Sequence, residues 1–371
     1  MNANREDYSP LAAETVVREN VPLSELTTMR LGGKAKYVVE ITTKWEIPSA
    51  LEFAKKKGLP YFVLGGGANT LGRDEGFPGV ILLMKIRGID IVDADAEGFL
   101  VYGAAGENWD DFVRFTVEHE MSGVECLAKI PGTVGAAPVQ NIGAYGQEIS
   151  QVVDHVEAYD TKTGEFVVIG RDEMKMSYRS TLFNTGPEAG RYIITGVIFA
   201  LYDGNFEPMN GPLYKSLQNH LDGILDPGER ESYEQNGYPP RLLYDGVSSI
   251  RGEKLPDPAE KASAGSFFKN IYFEPSDSKT LALAEATGCK IYDKADGRKM
   301  INTGALIEKA GLKGKLLYGM RVSDKAALVL INESARSYAD LEAARAEIIE
   351  RVFNKFGFKI EQEPVEIAWT K

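Results

Sequence analysis

The stretch GVECLAKIPGTVGAAPVQNIGAYG, residues 123–146, decides how this chain is read. Between Pro131 and Gly146 it holds no charged residue, while Gly132, Gly135, Gly143 and Gly146 recur among small side chains. Glycine carries no Cβ and accepts positive φ, so such backbone lies directly against a flat or anionic partner. With Gln140 and Asn141 beside it, the segment suits a cofactor that is aromatic at one end and hydrogen-bonding along its edge. A tightly packed turn region is the other reading of the same residues taken alone.

A second glycine cluster, LGGGAN at 64–69, follows the apolar run PYFVL. In a dinucleotide-binding βαβ unit the last glycine would open a helix facing the pyrophosphate. Here the glycines run into GRDEGFPG and then into VILLM, so a strand follows instead of a helix. No Gly-Lys-Ser/Thr follows either, which excludes a P-loop. What remains is a turn whose successive N–H groups form an anion-binding nest, or a tight structural turn.

Composition narrows the field. A chain of 371 residues exceeds one ordinary domain, and its hydrophobic fraction of 43% suits a packed core. The formal net charge of −12 disfavours nucleic-acid binding. In so acidic a chain, an anionic substrate requires a local basic cluster, for which Arg251, Lys254, Lys261 and Lys269 are candidates, although on charge alone they read first as basic residues scattered on a solvated face. The chain lacks both a signal-peptide pattern and an apolar run long enough to span a membrane, so a cytoplasmic protein is expected. Two cysteines, Cys126 and Cys289, without CxxC spacing, give no zinc site or disulfide framework, and no metal is expected.

Hydrophobic periodicity predicts the elements. A short helix is expected around Ala12–Glu19, a strand over 35–41, a helix ending at Gly58, and strands at PYFVL and VILLM. Strands at IDIVDAD and GFLVYGAAG precede a helix from Asn108 to His119. VVDHVEAYD and EFVVIG, joined by TKTG, read as a hairpin, and RYIITGVIFAL as a strand. Residues 203–240 read as loop with one short helix near 214–221. A helix at 304–311, a strand at 325–332 and a long amphipathic helix from Ser337 complete the chain, the last with Leu341, Ala344, Ile348, Val352 and Phe356 in a core stripe.

Three further runs carry chemistry. In SAGSFFKN at 263–270, Ser266 lacks a G-x-S-x-G elbow, and none of the three histidines lies near it. A hydrolase triad is therefore disfavoured, whereas proton donation to a reactive carbanion suits its high pKa. Arg179, in YRSTLF, offers a guanidinium fork for a carboxylate or a developing enolate, or an ordinary salt bridge. Glu361, Glu363 and Glu366 lie in IEQEPVEI, which also reads as a solvated edge strand.

In order along the chain, TTMRLGG, LGGGANTL, GAAGENWDDFV, the 123–146 segment, YRSTLF, KLPDP, SAGSFFKN and GLKG resemble the UDP-N-acetylenolpyruvoylglucosamine reductase family of flavoenzymes. The similarity runs from about Leu26 to Ile367. It implies an α+β protein of three domains. Residues 16–85 and 86–235 would form an FAD-binding fold of the vanillyl-alcohol-oxidase (PCMH) type, and 236–371 a C-terminal α/β substrate domain.

The resemblance also implies non-covalent FAD, NADPH as hydride donor, and a UDP-sugar, UDP-N-acetylglucosamine enolpyruvate, as substrate. It places Gly65, Gly66, Gly67, Ala68 and Asn69 at the flavin pyrophosphate. Ile130, Pro131, Gly132, Gly135, Gln140, Asn141, Gly143, Ala144 and Tyr145 would flank the rest. Flavin N5 would deliver hydride to C3 and Ser266 a proton to C2. Arg179 would stabilise the enolate, Glu363 would assist, and Tyr214, Arg251, Lys254 and Asn270 would hold the substrate. Lys325-Ala326-Ala327 departs from a common Lys-His-Ala in the family, and the glutamate register leaves Glu366 as an alternative to Glu363. Another flavin enzyme on the same fold, or a nucleotide-sugar-binding protein without catalysis, are the competing readings.

Overall fold

The computed structural model describes residues 15–95, 98–204, 213–294 and 296–368. The chain forms two compact units. The first comprises Met1–Asn20, Lys36–Gly66 and Pro78–Arg251; the second comprises Val21–Ala35, Gly67–Phe77 and Gly252–Lys371.

Among the described residues, the first unit carries two main sheets. The smaller orders its strands Val17–Pro22, Lys34–Ile41, Phe77–Met84 and Tyr61–Leu64, the last two parallel in the register Tyr61↔Val80 to Leu64↔Leu83. Helix Glu46–Lys56 presents Ile47, Ala50 and Ala54 to the core shared with Val39, Ile41, Val80 and Leu82. The larger sheet has six strands and is antiparallel, its main path running Glu165–Gly170, Val153–Asp160, Tyr192–Asp203, Gly98–Ala104, Ile89–Ala94. Helix Trp109–Glu118 starts where the Asn108 side chain accepts from the amides of Asp110 and Asp111. Its apolar face buries Trp109, Phe112, Val113 and Val117, with the Phe112 ring 4.8 Å from that of Phe199. Burying side chains of this size contributes about 1.5–3 kcal/mol each.

In the second unit, Ser263–Ser266 pairs with Val329–Asn332, which continues to Met320–Val322 and Leu316–Leu317. Strand Val365–Ile367 pairs in parallel with Thr70–Gly72. Helix Tyr338–Phe356 is capped by Ser337 and Asp340 at its start and stopped at Gly357, and it buries the expected stripe.

Three expectations change. Within Ala12–Glu19 the described residues give no helix: Val17–Pro22 is a strand, because Val16, Val17 and their neighbours follow the edge of Lys34–Ile41. Residues 12–14 and 205–212 lie outside the described residues. The stretch 203–240 holds two helices, Lys215–Ile224 and Pro227–Asn236, the second started by Asp226 and Glu229 in a reciprocal cap with Pro227 in its first turn. Strand 325–332 shortens to Val329–Asn332, since the Ser323 hydroxyl accepts from the Lys325 and Ala326 amides and turns the chain there. Among the described residues no helix is long and apolar enough to cross a membrane.

Candidate active site

In the first unit, the two glycine clusters meet. Residues Pro131–Gly135 run beside 105–109, with the Trp109 amide donating to Gly132 O at 3.1 Å and the Gly135 amide to Ala105 O at 3.0 Å. Gly65 and Gly66 lie directly against this segment. A Cβ on Gly65 would stand 2.5 Å from Thr133 Oγ1, and one on Gly66 3.0 Å from Gly132 Cα. Only glycine allows that approach. The Thr133 hydroxyl is buried there without a hydrogen-bond partner. Gly65 is half-buried and Gly66 exposed. The residues that continue the turn, Gly67, Ala68 and Asn69, belong to the second unit, where their carbonyls are held by the Thr28 amide, the Thr28 hydroxyl and the Val365 amide.

Downstream in the first unit, Gly143-Ala144 pairs with Gln147-Glu148, so Tyr145 and Gly146 form a two-residue hairpin tip. Both have positive φ, +49° and +92°, the geometry of the hairpin turn usually filled by Asn-Gly. Its ring stands edge-on to Tyr214 at 5.7 Å. Burial raises the Tyr145 phenol pKa, and Arg251 opposes that rise. Arg251 itself, in helix Pro240–Lys254, donates to the Lys129 carbonyl at 3.2 Å, while its buried Nε has no partner. Burial lowers the pKa of this guanidinium; Tyr145 and Asp110 counteract it. Lys129 in turn is paired with Asp110 at 2.7 Å. Tyr145, Tyr214 and Arg251 are thus brought together.

Arg179 occupies the tip of another two-residue turn, closed by Ser177 and Ser180, with φ +56°. Its Nη1 donates to the Asn141 carbonyl at 3.2 Å, and its guanidinium stacks on Tyr178. Lys129, Asn141, Tyr145 and Arg179 all carry positive φ, and such backbone strain concentrates at functional sites. Asn141 is fully buried, and its carboxamide binds Glu148, Ser177 and Ser150. Its amide group is therefore committed within the protein.

In the second unit, Ser263 and Ser266 pair with Ile331 and Val329, so one extra residue bulges from the Ser263–Ser266 strand. Gly265 takes it up with φ +67°, and the bulge re-aims Ser266. The Glu363 amide donates to the Phe267 carbonyl at 2.9 Å, which places Glu363 opposite Phe267, the residue after Ser266. Asn270 Oδ1 accepts from the Thr303 amide at 3.1 Å, and Thr303 Oγ1 donates to Lys269 O. Lys254 is exposed. Lys261 lines a separate cavity of about 920 Å³ with Arg30, Arg321 and Arg336, and none of the other expected site residues lines it.

Glu366 belongs to a structural cluster. Its carboxylate accepts from Tyr338 OH, from Arg345 at 2.9 Å and from Arg73 at 3.2 Å. Burial opposes ionisation there, but these donors hold its pKa below the usual carboxylate range.

Sequence reading passed over Thr133 as an individual residue, and also the Asp110–Lys129 pair. The available signal was Thr133 as a polar residue inside an otherwise apolar glycine run, and Lys129 immediately before it. The cradle of Gly65, Gly66 and Gly132, the unpartnered Thr133 hydroxyl and the unpartnered Arg251 Nε fit a ligand that is anionic and hydrogen-bonding, as a flavin dinucleotide is. Among the described residues, no group of His, Cys, Asp or Glu is placed to hold a metal.

Comparisons with known proteins bear on both units. Residues 35–170 match an FAD-binding domain family, and residues 257–367 match the C-terminal domain of UDP-N-acetylenolpyruvoylglucosamine reductase. UDP-N-acetylenolpyruvoylglucosamine reductase of Ralstonia nicotianae is 38% identical over 93% of this chain and 98% of its own. The crystal structure of that reductase from Thermus caldophilus shares the fold, with a TM-score of 0.64 and 23% identity over 95% of this chain and all of that one. The fold extends to 6-hydroxy-D-nicotine oxidase from Arthrobacter nicotinovorans, TM-score 0.52 and 13% identity, covering 98% of this chain and 92% of that one. The expected α+β fold with FAD-binding architecture holds. With near-complete coverage of a 38% identical relative, the chain belongs to the UDP-N-acetylenolpyruvoylglucosamine reductase family.

Proposed function

We propose that this protein is the NADPH-dependent flavoenzyme that reduces UDP-N-acetylglucosamine enolpyruvate to UDP-N-acetylmuramate, a peptidoglycan precursor, in the cytoplasm. The observation that carries this reading is the bond of the Glu363 amide to the Phe267 carbonyl, which sets Glu363 beside the bulged segment that carries Ser266, in a chain that also holds a glycine cradle. An oxidase on the same fold has no need for a hydroxyl proton donor and a carboxylate on neighbouring segments.

The chemistry that FAD supplies when bound is hydride transfer, from NADPH to C3 of the enolpyruvyl double bond. The protein contributes the rest. Gly65, Gly66, Gly67, Ala68 and Asn69 would hold the pyrophosphate, aided by Thr133. Ile130, Pro131, Gly132, Gly135, Gln140, Gly143, Ala144 and Tyr145 would flank the rest of the flavin. As hydride reaches C3, negative charge gathers at C2 and its carboxylate, and Arg179 neutralises it with a fixed guanidinium. Ser266 gives its proton to C2, completing addition of H⁻ and H⁺ across the double bond. Glu363 orients that hydroxyl and supports the resulting alkoxide's reprotonation. Tyr214, Arg251, Lys254 and Asn270 capture the UDP-sugar, the cationic members offsetting the chain's net charge of −12. Glu363, rather than Glu366, takes the acidic role because the Glu366 carboxylate is committed to Tyr338, Arg345 and Arg73. In this reading, residues 16–85 and 86–235 serve the flavin and 236–371 the substrate.

The test is an anaerobic titration followed by flavin absorbance. NADPH is expected to bleach the bound flavin, and the enolpyruvyl substrate to restore the oxidised spectrum. A flavin that is reduced but ignores this substrate would leave the fold standing and overturn the function.

A further inference from the structure

We propose that Asn141 is the positioning residue for Arg179, an inference that rests on the role given to Arg179 above. Asn141 lies in the left-handed region at φ +44°, a conformation asparagine tolerates better than most side chains. It is completely buried. Its Nδ2 donates to Glu148 Oε2 at 2.9 Å and to the Ser177 carbonyl at 3.3 Å, and its Oδ1 accepts from the Ser150 amide at 3.1 Å. An asparagine amide has two donors, and both are used.

Ser177 and Ser180 close the turn that carries Arg179 at its tip. The Asn141 side chain grips the base of this turn at Ser177 O, while the Asn141 carbonyl accepts from Arg179 Nη1 at 3.2 Å. One residue therefore holds both the stem and the reactive head. Two further bonds keep the turn in register: Thr181 Oγ1 donates to the Val139 carbonyl at 2.8 Å, and Asn184 Nδ2 to the Arg179 carbonyl at 3.2 Å. The anchoring residues Val139 and Asn141 flank Gln140, within the segment that binds the flavin in the proposed reading. The guanidinium is thus referenced to the backbone of that segment.

A charge-stabilising group acts fully only when it is fixed before the charge develops. A displacement of about 1 Å costs about a hundredfold in rate. Asn141 fixes Arg179 at its carbonyl and through the turn, and no contact of its amide with a ligand is required.

The experiment compares two variants with the parent. Asn141→Gly keeps the left-handed backbone and the carbonyl but removes the amide grip. Asn141→Asp keeps the shape and the Ser150 contact but sets a carboxylate against Glu148 and Ser177 O. Stopped-flow spectroscopy reads each half-reaction, visible absorbance reads bound FAD, and Arg179→Ala is run alongside. Both Asn141 variants are expected to retain FAD and to be reduced by NADPH at the parental rate. Reoxidation by the enolpyruvyl substrate should slow about ten- to a hundredfold. Parental reoxidation in both, beside a slow Arg179→Ala, overturns the positioning role and leaves the reading of Arg179 intact. Parental reoxidation in Arg179→Ala overturns both. Loss of FAD from the Asn141 variants also overturns it, because Asn141 would then serve cofactor retention. Thr181→Ser, which preserves the Val139 hydrogen bond, is the folding control and should match the parent.

Discussion

The Glu363 amide donates to the Phe267 carbonyl at 2.9 Å, so the glutamate enters the pairing one residue beyond Ser266. This bond, together with the Phe268–Gln362 bridge and the Lys269 amide on Glu361 O, fixes the register of the C-terminal segment against SAGSFFKN. A slip of one residue would turn Glu363 to the opposite face. Ser266→Ala is expected to slow flavin reoxidation by substrate about a hundred- to ten-thousandfold, with reduction by NADPH unchanged. Glu363→Gln should act on the same half-reaction more weakly. Equal slowing of both half-reactions would show that neither residue is specific to protonation.

Gly265 absorbs the bulge at φ +67°, and nothing lies within 4 Å of the Cβ it lacks. The cost of a side chain there is conformational, not steric. Gly265→Ala should lower stability by about 1–2 kcal/mol in urea unfolding and slow reoxidation as Ser266 is re-aimed. Gly265→Asn should lose less, since asparagine tolerates the left-handed region. If Ala and Asn behaved alike, strain at this bulge would not be the cause.

Glu366 gives a pH signature. Against the penalty of burial, Tyr338, Arg345 and Arg73 hold its folded pKa below the ordinary value. A depressed carboxyl pKa contributes stability that is full above the unfolded pKa, about 4.3, and is lost as pH falls through the folded value. Glu366→Gln should therefore cost about 1–3 kcal/mol at neutral pH and show a flatter loss of thermal stability below about pH 4.3. Its reoxidation rate should stay near parental. A variant that stays stable but fails to reoxidise would move the catalytic role from Glu363 to Glu366.

Tyr214 is 54% exposed, yet its ring stands edge-on to Tyr145. As a substrate contact, it should contribute equally before and during reaction. Tyr214→Ala is expected to raise the substrate KM about two- to tenfold, the worth of one aromatic contact, with kcat little changed. An unchanged KM would remove it from the site.

Much of this architecture was legible from side-chain pattern. Helices Trp109–Glu118 and Tyr338–Phe356 announce themselves through capping residues and an apolar stripe, and the Val153–Asp160/Glu165–Gly170 hairpin through alternation around TKTG. The glycine clusters declared close approach but not to what; that Gly65 faces Thr133 depends on distant chain segments. Val17–Pro22 does not show in the sequence as a strand because an edge strand is decided by its neighbour and not by its own periodicity. Helix Pro227–Asn236 buries none of its residues, so only the Asp226-Pro-Gly-Glu229 cap foretold it. The committed amide of Asn141 was invisible, since nothing local in QNIG points to Glu148 or Ser177.

The parallel pairing of Val365–Ile367 with Thr70–Gly72, reinforced by the Val365 amide on the Asn69 carbonyl, has a consequence for biosynthesis. The chain emerges from the ribosome with its first glycine turn long before the strand that braces it exists. Until residues 365–367 are released, Asn69 O and the Thr70–Gly72 edge have no mate from that strand. The pairing that braces the turn within the second unit is therefore complete only after synthesis has passed Ile367. On the proposed role of this turn, chains truncated short of Val365 are expected to hold FAD more poorly than the parent, because Asn69 O and the Thr70–Gly72 edge lose that strand.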